Sequence, residues 1–272
     1  MGETSKIVHP HYFFSSISKS PCRELSRDRK IALFLDFDGT LVPIREDPAT
    51  CFPSEKIKKL LQSLADSGRI SLTIMSGRSL ADVRKRVGIR KIHYGGNHGL
   101  VISGPSMKYV HAKALSVRPL LMHIKRDLNN EIADIDGAWL EDKYFSLSLH
   151  FRSVKKEYVP SVKKVFYKAA RDMLENKSLG VVRGKKVLEL TPDTTWNKGA
   201  AVLWILRRLK NRFLPIYVGD DKTDETAFAA LSKNGITVRV GRSQITHAKY
   251  FIKGHWEIPL LLESILTHAA KR

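Results

Sequence analysis

A short apolar run recurs along this chain, and each time it breaks off into acidic, hydroxyl or glycine residues. Ile31-Ala32-Leu33-Phe34-Leu35 runs into Asp36-Phe37-Asp38-Gly39-Thr40, Ile70–Met75 into Ser76-Gly77-Arg78, and Pro215–Val218 into Gly219-Asp220-Asp221. An unbroken apolar run of this length suits a strand buried on both faces. Helical punctuation lies between the runs. Pro53 and Ser54 open a helix, Ile57, Leu60, Leu61 and Leu64 recur at helical spacing, and Gly68 closes it. Ser79–Val87, Lys198–Lys210, Thr223–Leu231 and Ile258–Ala270 read as further helices, and Ile236–Val240 and Tyr250–Ile252 as short strands. Strand–helix alternation predicts an α/β fold with a parallel sheet, whose ligands bind at the C-terminal ends of the strands.

The middle of the chain follows another pattern. Leu115–Ala133 and Glu157–Leu174 read as helices, and Ala138–Glu141, Tyr144–Phe151, Leu179–Arg183 and Lys186–Leu190 as strands. In the second strand Phe145, Leu147, Leu149 and Phe151 alternate with Tyr144, Ser146, Ser148 and His150, the mark of a sheet with one wet face. The expected organisation is a catalytic core from residues 30–107 plus 191–272, interrupted by an inserted α/β unit at 108–190. Residues 1–29 are Ser-rich, basic and poor in acids. They read as a poorly ordered leader in preference to an organellar transit peptide.

Charge and cysteine usage narrow the function classes. Lys and Arg number 47 against 27 Asp and Glu, a net charge of +20, which raises the question of polyanionic partners. No basic run is interleaved with aromatics, so a nucleic-acid partner is not favoured. Cys22 and Cys51 form neither a CxxC pair nor a disulfide framework. No apolar stretch approaches the roughly 20 residues of a membrane span, and the expected location is the cytoplasm.

The chemistry-bearing residues follow the predicted strands. Asp36 and Asp38 stand two apart, on one side of an extended chain, about 6–7 Å from each other. Close carboxylates repel unless a cation or a shared proton divides their roles, and Mg²⁺ takes oxygen ligands and bridges to phosphate. Ser76-Gly77-Arg78 offers a hydroxyl and helical amides for a phosphate. Lys198 opens a helix, where its charge opposes the macrodipole unless an anion lies nearby. Asp220, Asp221, Asp224 and Glu225 crowd after a buried strand. Asp221 and Asp224 suit either a metal or a helix cap. Together these groups meet the needs of phosphoryl transfer, which rests on positioning and charge neutralisation.

In this order the motifs resemble those of the haloacid-dehalogenase-like phosphatases, and the resemblance covers residues 30 to 272. More narrowly, Gly96-Asn97-His98-Gly99, Glu141-Asp142-Lys143, His150-Phe151-Arg152, Gly184–Leu190 and the GDDKTDETAF block at 219–228 resemble the trehalose-6-phosphate phosphatase family. The resemblance implies a Rossmann-like core with a cap. Asp36 would be the nucleophile, Asp38 the acid and base, and Ser76 and Lys198 the holders of the phosphoryl oxygens. It implies Mg²⁺ held by Asp36, the backbone carbonyl of Asp38 and Asp220, with Asp221 or Asp224 behind them. Gly77, Arg78, Asn97 and His98 would line the substrate at the core. Glu141, Lys143, Arg152, Lys185 and Glu189 would grip sugar hydroxyls in the cap, where Lys185 and Glu189 share a strand face opposite Leu188 and Leu190.

Two positions depart from the family pattern: Val101 stands where Glu is usual, and Thr191-Pro192 where Arg-Pro is usual. They bear on substrate identity. Trehalose 6-phosphate is the first expectation. Sucrose, glucosylglycerol or mannosylglycerate phosphate, a polynucleotide 3′-phosphate, and a regulatory role beside a trehalose-6-phosphate synthase are the alternatives.

Overall fold

The computed structural model describes residues 9–15, 21, 25, 29–45, 47–184, 186–210 and 213–270. In chain order the strands are β1 (His11–Tyr12), β2 (Lys30–Asp36), β3 (Ile70–Met75), β4 (His93–Gly96), β5 (Val101–Gly104), β6 (Met107–Val110), β7 (Trp139–Asp142), β8 (Leu147–His150), β9 (Leu179–Gly184), β10 (Val187–Pro192), β11 (Phe213–Gly219), β12 (Ile236–Val240) and β13 (Tyr250–Ile252). The α-helices are α1 (Glu55–Asp66), α2 (Leu80–Val87), α3 (Ala112–Ile132), α4 (Val159–Glu175), α5 (Lys198–Arg208), α6 (Glu225–Leu231) and α7 (Ile258–Ala270). The chain divides into two compact units, Met1–Tyr109 with Trp196–Arg272, and Val110–Thr195.

The first unit carries a sheet in the order β1-β13-β12-β11-β2-β3-β4-β5-β6. Its pairs from β1 through to β4 are parallel, and β5 joins β4 antiparallel. Alternation along β2 splits its side chains between two cores. Ile31, Leu33 and Leu35 pack with Ile57, Leu61 and Leu64 of α1 and Leu261, Leu262 and Ile265 of α7. Ala32 and Phe34 pack with Ala201, Val202 and Ile205 of α5 and Phe228 of α6. That two-sided cover is why β2 reads as an unbroken apolar run. The Ser54 hydroxyl accepts from the Ile57 amide at 3.3 Å and caps α1, and Ser79 caps α2 through the Asp82 amide at 3.2 Å, as N-cap chemistry prescribes.

The order β11-β2-β3 decides where a site can form. From β2 the chain continues to β3 on one side, and β11 returns on the other. The carboxyl ends of these three strands therefore meet at a topological switch point, where open α/β sheets bind ligands. Asp36 lies in register with Met75, and Val218 with Leu35.

The second unit holds a four-stranded sheet, β7-β8-β10-β9, with all three pairings antiparallel. One face packs Leu147, Leu149, Leu188 and Leu190 against Leu121, Ile124 and Leu128 of α3 and Val162 and Phe166 of α4.

Several expectations need correction. Of the segment read as a poorly ordered leader, most lies outside the described residues, but His11 and Tyr12 form β1 and pair with Tyr250 and Phe251. The Tyr12 hydroxyl donates to Glu257 at 2.8 Å, and Phe13 is buried. Strands β4, β5 and β6 escaped the reading because His93-Tyr94-Gly95-Gly96 lacks an apolar run; its strand state comes from its sheet neighbours. The expected strand at 144–151 shrinks to Leu147–His150, because Tyr144 takes a left-handed φ of 72°. Its serine face is not wet: Ser146 and Ser148 are buried. Ser148 lies in register between Glu141 and Glu189, whose longer side chains flank it.

Candidate active site

Asp36 ends β2, and its carboxylate Oδ1 accepts from the Lys198 ammonium at 2.6 Å. Lys198 begins α5 behind its N-cap Asn197, and donates also to Oδ1 of Asp224 at 2.7 Å. Its side chain is 2% exposed, those of Asp36 and Asp224 5% and 0%. Two buried carboxylates thus offset the unfavourable placement of a cation at a helix start. They hold the Lys198 ammonium above its ordinary range, against the downward pull of burial.

Asp224 organises the loop after β11. Its Oδ2 accepts from the backbone amides of Asp220 and Asp221, each at 3.0 Å, and its Oδ1 also accepts from the Tyr217 hydroxyl at 2.6 Å. Asp221 closes the turn instead. Its Oδ1 accepts from the Thr223 amide and hydroxyl at 2.8 and 2.7 Å and from the Asp224 amide at 3.2 Å. Asp220 accepts from the Thr40 hydroxyl at 3.2 Å. Gly39, at φ 85°, makes room for it, since a Cβ there would fall on the Asp220 carboxylate.

Asp36, Asp220 and Asp224 each offer a carboxylate oxygen within 4.8 Å of the others. Burial raises the pKa of all three; Asp224 and Asp221 push Asp36 and Asp220 up further, Asp221 does the same to Asp224, and Lys198 pulls against the rise in each. Asp36 and Asp224 are pushed above the ordinary range, and Asp220 reaches about 7. Asp221, although burial pulls it upward, is held at about 2 by the Lys198 ammonium and the Thr223 donors. Full ionisation of these carboxylates would leave more negative charge than Lys198 neutralises, so it calls for a further cation. Three hard oxygen donors with excess negative charge fit a hard divalent cation.

The second carboxylate of the Asp-x-Asp pair has a different cationic partner. Asp38 turns to Arg78, which donates to it from Nε at 2.8 Å and from Nη2 at 2.7 Å. The two carboxylates are thus divided by different cations, Lys198 and Arg78. Arg78 also donates to Asp82 and to the Pro48 carbonyl, each at 3.1 Å. These partners keep it charged despite its burial. The Ser76 hydroxyl accepts from the Arg78 amide at 3.0 Å. Asn97 and His98 join this loop through backbone bonds, Asn97 N to Arg78 O at 2.8 Å and His98 N to Ser76 O at 2.9 Å. Gly77 faces the His98 ring so closely that a Cβ would collide with it. The core residues expected at the site, from Asp36 to Asp224, thus gather at the ends of β2, β3, β4 and β11 and at the start of α5.

Within the second unit, Lys143 donates to Glu189 at 3.1 Å, and His150 pairs with Glu141 at 2.9 Å. Arg152 is exposed. Lys185 and Cys22 lie outside the described residues, and Cys51 is a buried free thiol. Two participants escaped the sequence reading. Tyr217 read as a plain core residue of β11, although a buried tyrosine hydroxyl needs a partner. Thr40 closed a motif without an assigned role.

A strand-end carboxylate paired with a helix-start lysine, on a parallel sheet that an α/β insertion interrupts, defines a haloacid-dehalogenase-like protein. Residues 34–255 match the family described as Trehalose-phosphatase. A trehalose-phosphate phosphatase of Mycobacterium marinum is 34% identical over 218 residues, 78% of this chain and 54% of that protein. Trehalose-phosphate phosphatase B of Arabidopsis thaliana is 30% identical over 257 residues, 89% of this chain and 67% of that protein. The crystal structure of a trehalose-6-phosphate phosphatase related protein superposes with a TM-score of 0.75 at 25% identity, covering 87% of this chain and 97% of that one. The chain belongs to the trehalose-phosphatase family. It spans about half the length of the mycobacterial relative. Among the described residues no helix is long and apolar enough to cross a membrane.

Proposed function

We propose that the chain is a Mg²⁺-dependent phosphomonoesterase that hydrolyses trehalose 6-phosphate to trehalose and inorganic phosphate. The observation that carries this reading is the buried Asp36–Lys198–Asp224 cluster at the end of the central strand, 2.6 and 2.7 Å across its two ion pairs. An Asp36 oxygen attacks phosphorus as the bond from phosphorus to the sugar oxygen breaks. The carboxyl of Asp38 gives its proton to that departing oxygen. Water then attacks the aspartyl-phosphate, Asp38 takes the water's proton, and the bond between Asp36 and phosphorus breaks. Splitting one displacement into two lowers each barrier, and one carboxyl serves both proton transfers in turn. To do so it exchanges the Arg78 guanidinium for the reacting oxygen.

Lys198, the Ser76 hydroxyl and the Gly77 amide hold the phosphoryl oxygens, and Arg78 holds the Asp38 carboxylate until that exchange. Asp36, Asp220 and the backbone carbonyl of Asp38 are the ligands for Mg²⁺, with Asp224 and Asp221 fixing the Asp220 loop. The ion supplies neutralisation of the phosphoryl charge. Residues 110–195 act as the cap, gripping sugar hydroxyls through Glu141, Lys143, Arg152, Lys185 and Glu189, while Asn97 and His98 line the substrate at the core. The substrate is the product of a trehalose-6-phosphate synthase, which is the candidate partner, and the cytoplasm is the proposed location.

The test is phosphate release from trehalose 6-phosphate with and without EDTA. Release that EDTA abolishes and Mg²⁺ restores is expected. Faster turnover of sucrose, glucosylglycerol or mannosylglycerate phosphate would reassign the substrate.

A further inference from the structure

On the sheet of the second unit, the face opposite the Leu147, Leu149, Leu188 and Leu190 core carries a continuous row of aromatic and charged groups. Trp139 lies on the edge strand β7, in register with His150 of β8. Their rings stack nearly parallel, 6° apart at a centroid distance of 4.0 Å. His150 pairs with Glu141 at 2.9 Å. Glu141 lies 4.0 Å from the Lys143 ammonium, which reaches Glu189 at 3.1 Å. Trp139 is nonetheless 47% exposed. Imidazole covers one face of the indole and fixes its orientation, so the open surface belongs to the rest of the ring.

Two carboxylates, an ammonium and an imidazole beside a half-open indole suit one ligand chemistry. A pyranose has an apolar face of C–H groups and a rim of hydroxyls that both donate and accept. Small-ligand sites combine an apolar or aromatic surface with a few fixed polar groups in this way. We infer that Trp139, held flat by His150, is the platform on which a pyranose ring of the substrate stacks, and so sets specificity for a glycosyl phosphate over simpler esters. The inference rests on the sugar-phosphate reading above. It adds Trp139 as a specificity residue and gives His150 a positioning role, orienting the indole and tying it to Glu141.

The test compares kcat/KM for trehalose 6-phosphate with that for β-glycerophosphate, which has no pyranose. Trp139→Ala is expected to lower the ratio of the two about tenfold, equivalent to about 1.4 kcal/mol, through KM with kcat for the sugar substrate within about twofold. Trp139→Phe is expected to recover most of the loss, and Trp139→Gln, polar and without a ring, to recover none. A His150→Ala variant should show a smaller loss of the same kind. An unchanged ratio in both Trp139→Ala and Trp139→Gln overturns the platform, as does an equal loss in Trp139→Phe. A parallel fall on both substrates overturns it too. Should the wild type prefer a different glycosyl phosphate, the trehalose assignment fails by itself, and the ratio measured with that preferred substrate still decides the role of Trp139.

Discussion

Replacing Lys198 with methionine probes the centre of the structure most directly. Methionine approximates the length of the lysine side chain and removes its charge. Asp36 and Asp224, whose oxygens lie 2.6 and 2.7 Å from the ammonium, then face each other without a cation. Removing one partner from a buried ion pair costs about 3–5 kcal/mol, because the remaining charge stays desolvated. For a domain of 150–250 residues each kcal/mol moves the melting temperature by about 2–4 °C, so a loss of about 6–20 °C is expected. The sign of the pH dependence follows from the carboxyls. Both already sit above their ordinary range, and loss of Lys198 raises them further. An acid raised in the folded state is stable while protonated and destabilises the fold as rising pH ionises it. The deficit of Lys198→Met is therefore larger at pH 8 than at pH 5. Differential scanning calorimetry of both proteins in EDTA measures it. A variant melting within about 2 °C of the wild type at pH 8, with no widening from pH 5, would refute the reading of Lys198 as the counter-ion of this cluster.

Four further outcomes are expected. Asp36→Asn abolishes turnover of trehalose 6-phosphate in a phosphate-release assay, while its melting curve and circular dichroism remain those of a folded protein; wild-type activity would remove the nucleophile assignment. Gly39→Ala places a Cβ on the Asp220 carboxylate at a φ of 85°, and raises the Mg²⁺ concentration for half-maximal activity. The left-handed backbone adds about 1–2 kcal/mol of destabilisation, visible in urea melts, and an unchanged Mg²⁺ requirement contradicts the packing argument. Glu189→Ala removes the partner of Lys143 at 3.1 Å, and lowers kcat/KM for the sugar phosphate more than for a small aryl phosphate; equal losses would exclude a sugar-gripping role. Asp142 is held at about 2 against an ordinary 3.8: burial raises it, but Arg118, the Tyr144 amide and Lys125 outweigh that. Its contribution is present above pH 4 and lost as pH falls through 2. The shift is worth about 2 kcal/mol as it stands and about 1 kcal/mol after solvent screening. Asp142→Asn should flatten the acid limb of the stability curve between pH 4 and 2, and an identical limb in both proteins would dismiss the ion pairs with Arg118 and Lys125.

Much of the core was readable because burial on both faces leaves no polar positions in a strand. The runs Ile31–Leu35, Ile70–Met75 and Pro215–Val218 showed where the parallel sheet lies and where its loops must open. The residues that break those runs then had to be ligand-facing, capping or solvated, which confined the chemistry to a handful of side chains. Local pattern could not say how those side chains divide their work. Asp36 and Asp38 look equivalent along the chain. They part because Lys198, 162 positions from Asp36, reaches one, and Arg78 takes the other with two hydrogen bonds. The acidic loop after β11 likewise lists three aspartates without rank. Folding buries Asp224 between Tyr217 and Lys198 and leaves Asp221 half-exposed as a turn closer. Strands such as His93–Gly96 and the register that joins Trp139 to His150 were invisible for the same reason. Periodicity is a property of neighbours along the chain, whereas ion pairing, pKa and ring stacking arise between groups that meet only once the sheets have formed.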